Sequence, residues 1–558
     1  MIRTFATHKI REQEEITGSL WDFTPCSGEH KGETMKVATP SCWETYPRFE
    51  GYRGAAIYKK EFEADGNIRF EFKGVSHTAT VYIDGEEVGN HYNAYTAFEV
   101  IAKNLKAGLH VLEVKADNSF SEKSALHIPN DYMSYGGVSR PVVLERIEDV
   151  YVRWVHVTPK CEDGKWTAAV EADVVNISDS KQTVTVELCI ENQVAQIDVE
   201  LPSEGEEIVV TEMSFGNVAV WSPENPALCN CEVYIKSGDE YVDDLIDRFG
   251  FREVELDGKN IKLNGKVVRI KGFGRHEDHP MYGCALPFSA IQADINIIKD
   301  LGANSIRTVH YPNDEIFLDL CDEQGILVWE ENHARGLSLE DMQNPNFEPQ
   351  AEKVTEEMVV SHYNHPSIYI WGILNECASE TEYGRECYRK QFDIIRKLDQ
   401  SRPRSFASCK FKTDISLGLP DVVSYNIYPQ WYHDTPVGEY LEDLYSWIQN
   451  ETEGAGKPFL ITEVGAGGIW GVRNNYEGKW SEEYQAKTLK AQLNAVLNFK
   501  GCSGVYIWQY CDVRVSEEWF DKRPRGMNNK GVVDEYRRRK LSYEVVRSIF
   551  NSFGNYFE

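Results

Sequence analysis

Apolar and polar residues alternate in short runs along the first quarter of the chain. "NIRFEFKGV", "ATVYIDGEEVG" and "GLHVLEVKADN" each space apolar side chains two apart and break at Gly, Asp or Asn. A period of two buries one face of a strand and wets the other, so residues 1–147 predict a β-sandwich. A second series, "YVRWVHVTPK", "KWTAAVEADVVN", "KQTVTVELCI", "EEIVVTEMSF" and "NCEVYIKSG", fills 148–249 with short strands and predicts an immunoglobulin-like sandwich without its disulfide. From residue 250 onward the pattern changes. Short β-branched runs alternate with helical stretches such as "SAIQADINIIKDLG" and "SEEYQAKTLKAQLNAVLNF". In order the strands are "VVRIKGFG", "SIRTVHY", "ILVWEEN", "SIYIWGILNE", "RSFASC", "DVVSYNIY", "PFLITEVG" and "GVYIWQY". Alternation of this kind predicts a (β/α)8 barrel over 250–558.

At 558 residues the chain is too long for one core, which agrees with three domains. No apolar run reaches the roughly 20 residues of a membrane helix, and "MIRTFATHKIREQEE" turns acidic where an export signal would be apolar, so a cytoplasmic location is expected. Thirteen cysteines without a CxxC pair read as reduced thiols. A net charge of -30 repels polyanions and argues against nucleic acid or an anionic membrane as partner. An anionic substrate would need a local basic cluster.

Active sites of such barrels lie at the C-terminal mouth, so a polar residue that ends a strand is informative. Glu376 ends the fourth run and Glu463 the seventh. His310 and Tyr311, Glu331 and Asn332, and Asn426 and Tyr428 end the second, third and sixth. Cleavage of a glycosidic bond needs one carboxyl group to protonate the leaving oxygen and a second, ionised, to attack the anomeric carbon. One strand-end Glu is most simply a salt bridge; two, on strands four and seven, point to this chemistry. It calls for no cofactor and no metal. His362 and His365 in "HYNHP" lack an acidic third ligand at metal-site spacing, and "RHED" reads as architecture of the mouth.

"IKGFGRHEDHP", "GANSIRTVHYP", "NHPSIYIWGILNE", "ITEVG" and "GSLWDF" together resemble glycoside hydrolase family 2, and "GFGRHED", "WSEEYQ" and "NNKG" look most like its β-glucuronidases. The resemblance spans nearly the whole chain. It implies a jelly-roll-like sandwich, an immunoglobulin-like sandwich and a catalytic TIM barrel. It makes Glu376 the acid/base and Glu463 the nucleophile of a retaining mechanism through a covalent glycosyl-enzyme. It also implies that Asn375 meets the sugar 2-hydroxyl, that Tyr428 orients the nucleophile with Tyr432 nearby, and that Trp508 floors the pyranose. Asp131, from the first domain, would bind sugar hydroxyls.

The sugar turns on "DKRPRGMNNKGVVDEYRRRK". Between Lys522 and Lys540 eight basic residues face two acidic ones. "RRRK" reads as a solvated face. Asn528 and Lys530 resemble the Asn-x-Lys signature that grips a C6 carboxylate, where an ammonium beside an amide donor suits the anion. A terminal β-linked hexuronic acid is therefore expected, with glucuronide foremost. Val464 after the nucleophile, a short loop after strand three and Arg335 on that loop leave room for β-galacturonidase or dual specificity. A family 2 β-galactosidase or α-L-arabinosidase, and a catalytically silent carbohydrate-binding protein, are the rival readings. The partner is a small or oligosaccharide uronide, and association of copies through the sandwiches is expected.

Overall fold

A computed structural model describes residues 1–557. The first sheet holds eight strands between Glu12 and Ile147, and two of them are long enough to bend. Ala55–Phe72 pairs along its length with Phe98–Asp117, and the register breaks around Gly66. Before the break the first strand also pairs with Ser19–Pro25; after it, with Val142–Ile147. Each bent strand thus serves both layers, which close on Trp21, Phe23, Tyr58, Phe70 and Val114. Strand Thr78–Ile83 carries the alternating burial that its sequence predicts.

The next domain packs a three-stranded sheet (Val150–Glu162, Lys165–Asn176, Gly205–Phe215) against a four-stranded one. These are the seven strands of an immunoglobulin-like sandwich, closed by Val170, Val186, Leu188 and Val233. All thirteen cysteines are free.

Eight parallel strands then close a barrel: β1 (Ile270–Arg275), β2 (Ser305–Thr308), β3 (Leu327–Glu331), β4 (Ile368–Gly372), β5 (Arg404–Ser408), β6 (Val422–Asn426), β7 (Phe459–Val464) and β8 (Gly504–Ile507). The ring departs from a regular (β/α)8 in one place. Between β5 and β6 there is only a 3-10 turn, Phe411–Thr413, because "CKFKTDISLGLPD" has no 3.6-residue apolar period. A small sheet from Val254 to Val267 plugs the N-terminal end, with Ile261 and Leu263 packed against Trp329, Tyr369 and Tyr506. The C-terminal end is left open to the first domain.

The N-terminal segment ties the three units together. Arg3 binds Asp319 and Glu315 beside the barrel, and Arg11 bridges Asp243 of the second sandwich to Glu145 of the first. The "RHED" segment anchors the first sandwich at the mouth: Arg140 pairs with Glu277 at 2.9 Å, and Tyr135 donates to Asp278 at 2.8 Å.

Candidate active site

Glu463 is the penultimate residue of β7, but Glu376 lies beyond its strand. β4 stops at Gly372, and Ile373 to Glu376 continue with Leu374 (φ 46°) and Glu376 (φ 55°) in the left-handed region. That conformation costs of order 1 kcal/mol at each non-glycine residue and persists where other contacts over-determine it. Here Leu374 N donates to Asn332 Oδ1, and Glu376 N donates to the Ala407 carbonyl at the end of β5. The chain is thereby turned so that the adjacent Asn375 and Glu376 both face the mouth.

Arg307, on β2, organises the floor. Fully buried, it donates to Glu331 (2.7 Å), Glu463 (3.0 Å) and the Asn375 side-chain oxygen (2.6 Å). Tyr428 donates to the other Glu463 oxygen. Asn426 donates to Asn375 Oδ1 at 3.1 Å and Glu376 Oε1 at 2.9 Å, and accepts from Thr462 at 2.8 Å. Asn375, with its oxygen held twice, is left with a buried, unpaired Nδ2 donor. Burial and the neighbouring Glu376 carboxylate push Glu463 up to about 7, against Arg307 and the Tyr428 hydroxyl, which favour its anion. Two hydrogen-bond donors on Glu463 suit a nucleophile. Glu376 accepts from one amide, has Arg335 at 3.7 Å and stands nearer solvent, as an acid serving a leaving group requires.

Trp508 follows β8 and stacks on His310, centroids 4.9 Å apart. Glycines admit it: a Cβ at Gly465 would lie 2.2 Å from the Trp508 carbonyl, and one at Gly274 would lie 3.1 Å from its ring. Burial and Arg307 hold His310 neutral, with Nδ1 at 3.2 Å from Glu331.

The opposite wall is shared between domains. Arg335 Nη1 donates to Asn130 at 2.6 Å, and Arg335 faces Asp131 at 3.3 Å. Arg523 and Asn528 donate to Asp131 Oδ2 at 2.9 and 3.2 Å. Burial opposes the charge of Asp131, yet Arg335, Arg523 and Lys530 hold it well below the ordinary carboxylate range. Lys530 is 3% exposed. Its ammonium donates to the Tyr432 hydroxyl at 3.1 Å and lies 5.4 to 5.8 Å from the ring centres of Tyr428, Trp431 and Tyr432. Among the described residues no carboxylate lies within ion-pair distance of it. Tyr432, 60% exposed, forms the rim.

The structure brings all the expected site residues to one mouth, with one change of role. Asn528 was expected to offer its amide N–H to an anion, but that donor goes to Asp131, and the unpaired atom is Oδ1, an acceptor. The ammonium of Lys530 is the group left for a negative charge. "RRRK" is not a uniform solvated face: Arg537 binds buried Asp294 at 2.8 Å and Lys540 binds buried Asp512 at 2.7 Å, while Arg538 and Arg539 stay outside. His362 and His365 pair with Glu330 and Asp322. Sequence reasoning missed Arg307, Thr462 and Arg523. An arginine inside the otherwise short apolar run "SIRTV" was the available signal, since a buried guanidinium needs carboxylates around it.

Two family models match the chain: "Glycosyl hydrolases family 2, TIM barrel domain" over residues 254–551 and "Glycosyl hydrolases family 2" over 150–252. The chain belongs to glycosyl hydrolase family 2. It superposes, with a TM-score of 0.98 and 59% identity over 100% of both chains, on a family 2 β-galacturonidase from Eisenbergiella tayi solved with galacturonate bound. It is 27% identical to a β-glucuronidase of Streptococcus agalactiae, over 96% of this chain and 97% of that one. A β-galactosidase of Thermoanaerobacter pseudethanolicus is 30% identical over 413 residues, 70% of this chain. The chain spans about half the length of that relative (53%).

Proposed function

We propose that the protein is an exo-acting, retaining β-hexuronidase that releases terminal β-D-galacturonic acid. The observation that carries this reading is Lys530, a buried ammonium in an aromatic cage with no carboxylate within ion-pair distance among the described residues, at the mouth that holds the two glutamates. A neutral galactoside would forgo the attraction of that charge, worth about 2 to 3 kcal/mol in specificity. A uronate C6 carboxylate supplies the missing anion.

Sequence alone favours the glucuronide. The 59% identity to a galacturonidase, against 27% to a glucuronidase, moves the reading to the C4 epimer, with glucuronide as second substrate. The buried atoms without a hydrogen-bond partner agree with a hydroxylated ring: Asn375 Nδ2 is a donor for the 2-hydroxyl and Asn528 Oδ1 an acceptor for a hydroxyl hydrogen, while Asp131 Oδ1, in ion-pair contact with Arg335, can accept a second. Arg335, pinned by Asn130, adds a donor on the Asp131 side.

In the first step Glu376 gives its proton to the glycosidic oxygen while Glu463 attacks C1, forming a glycosyl ester and releasing the aglycone. In the second, Glu376, now anionic, takes a proton from water as that water attacks C1 and the ester bond to Glu463 breaks. Arg307 and Tyr428 hold Glu463 in line, and Asn375 tightens on the 2-hydroxyl as oxocarbenium character grows. The test is proton NMR of nitrophenyl β-D-galacturonide during hydrolysis. The β-anomer of free galacturonate is expected first, with the α-anomer appearing only by mutarotation; α-anomer as first product would overturn the double displacement.

A further inference from the structure

We propose that Cys42 and Cys284 are a redox-sensitive staple between the first sandwich and the barrel. Their sulfurs lie 3.4 Å apart, and among the described residues they are the one pair of thiols in contact. Cys42 is fully buried, just before the 3-10 turn Trp43–Thr45; Cys284 is partly exposed in the connection from β1 to helix Phe288–Asp300. The approach depends on the residue before Cys284. Gly283 has φ +58°, and a Cβ there would sit 2.8 Å from Cys42 Sγ, so a glycine lets the barrel loop come this near. Met133, Tyr135 and Ala285 pack around the pair.

A disulfide has an S–S length of about 2.05 Å, so the sulfurs must close by ~1.4 Å, and rotation of the half-buried Cys284 side chain is the movement the proposal calls for. Burial and the second sulfur push the Cys42 thiol up, which leaves Cys284 to react first. With a small oxidised disulfide such as glutathione disulfide, the Cys284 thiolate attacks one sulfur and releases one glutathione. The Cys42 thiolate then attacks Cys284 Sγ in the mixed disulfide and releases the second glutathione. The protein loses two electrons, the small disulfide gains them, and the two thiol protons end on the released thiols.

The bond would close a loop of 242 residues at the seam that positions the site. Met133 and Tyr135 follow Asp131 by two and four residues, and Tyr135 already reaches Asp278 across that seam. In the reduced protein the seam is held by contacts such as this and Arg140–Glu277. Cross-linking so long a loop restricts the unfolded chain strongly. The staple therefore guards the domain contact without altering the chemistry, whichever sugar is cleaved.

The full chain is treated with excess glutathione disulfide under native conditions, then mapped by non-reducing peptide mass spectrometry and melted. A linked peptide containing Cys42 and Cys284, a Tm several degrees above the dithiothreitol-treated protein, and kcat/KM within about twofold are expected. Because Cys42 is buried, Cys284→Ser is the variant of choice; it should fold and show no oxidative rise in Tm. Failure to find the linked peptide, a link without a rise in Tm, or an equal rise in Cys284→Ser would overturn the proposal.

Discussion

Lys530→Met removes one ammonium while keeping an unbranched chain of similar bulk. The side chain is 3% exposed and sits among Tyr428, Trp431 and Tyr432 in the free protein, so its desolvation is incurred on folding and not on binding. At roughly 4 Å and an effective dielectric constant near 20, the attraction between ammonium and a bound carboxylate is about 4 kcal/mol. Stripping water from the substrate carboxylate takes back about 1 to 2 kcal/mol, leaving a net of about 2 to 3 kcal/mol. At about 1.4 kcal/mol per decade, kcat/KM on nitrophenyl β-D-galacturonide should fall on the order of 100-fold. On the matching β-D-galactoside it should change by less than about threefold, since no anion is there to lose. The assay is release of nitrophenolate from both substrates by wild type and variant, with circular dichroism melts to show that both are folded. Equal losses on the two substrates would refute the carboxylate role of Lys530.

Four further outcomes follow from the same geometry. Glu463→Gln should lower turnover by at least about 10⁴-fold, and Glu376→Gln should lower kcat/KM on alkyl uronides by about 10² to 10⁴ but kcat/KM on nitrophenyl uronides far less, because nitrophenolate leaves without a proton, while kcat falls on both because hydrolysis of the ester loses its base; equal losses of kcat/KM on the two substrates would contradict the role of Glu376 as acid. Arg307→Met leaves Glu331 and Glu463 buried without their cation, so a loss of about 3 to 5 kcal/mol in a denaturant titration is expected alongside loss of activity. The shift of Glu463 to about 7 is set against an ionised Glu376, so the pair takes up its one catalytic proton near that pH. Because Glu376 must carry a proton and Glu463 none, kcat/KM should rise as pH falls through about 7 and decline again only in more acid solution, and a profile that declines steadily from pH 9 to pH 5 would contradict that environment. Glu44, buried under Gly136 and pushed up to about 8 by burial, binds its proton more tightly in the folded state, so its contribution is full below pH 4.5 and is lost as pH rises through 8. Glu44→Gln should accordingly flatten the stability curve over that window, as read from melts at several pH values.

Much of the fold was legible because its elements have local signatures. Period-two strands such as Thr78–Ile83 and the helix Glu482–Asn498, capped by Ser481, write their burial into spacing and end residues. The missing helix after β5 was not anticipated by the (β/α)8 expectation, although "CKFKTDISLGLPD" carries no helical period. The two glutamates proposed as catalytic could be picked out because each ends a buried β run, on the fourth and seventh strands of one barrel. What could not be read was who pairs with whom across the chain. Arg307 meets Glu463 156 residues on, and Arg523 meets Asp131 392 residues back, contacts that only the closed barrel and the docked sandwich create. For the same reason Asn528 was read with its donor free, though Asp131 takes it. Arg537 and Lys540 show the converse: a run of like charges looks solvated until Asp294 and Asp512 are brought beneath it.

The central claim is that the mouth selects a galacturonate-like anion. A side-by-side kcat/KM comparison of the wild-type protein on nitrophenyl β-D-galacturonide, β-D-glucuronide, β-D-galactoside and α-L-arabinoside tests it most directly. The galacturonide should be cleaved fastest, the glucuronide second, and both neutral glycosides more slowly by on the order of 100-fold or more. A neutral glycoside equal to or better than both uronides would contradict it.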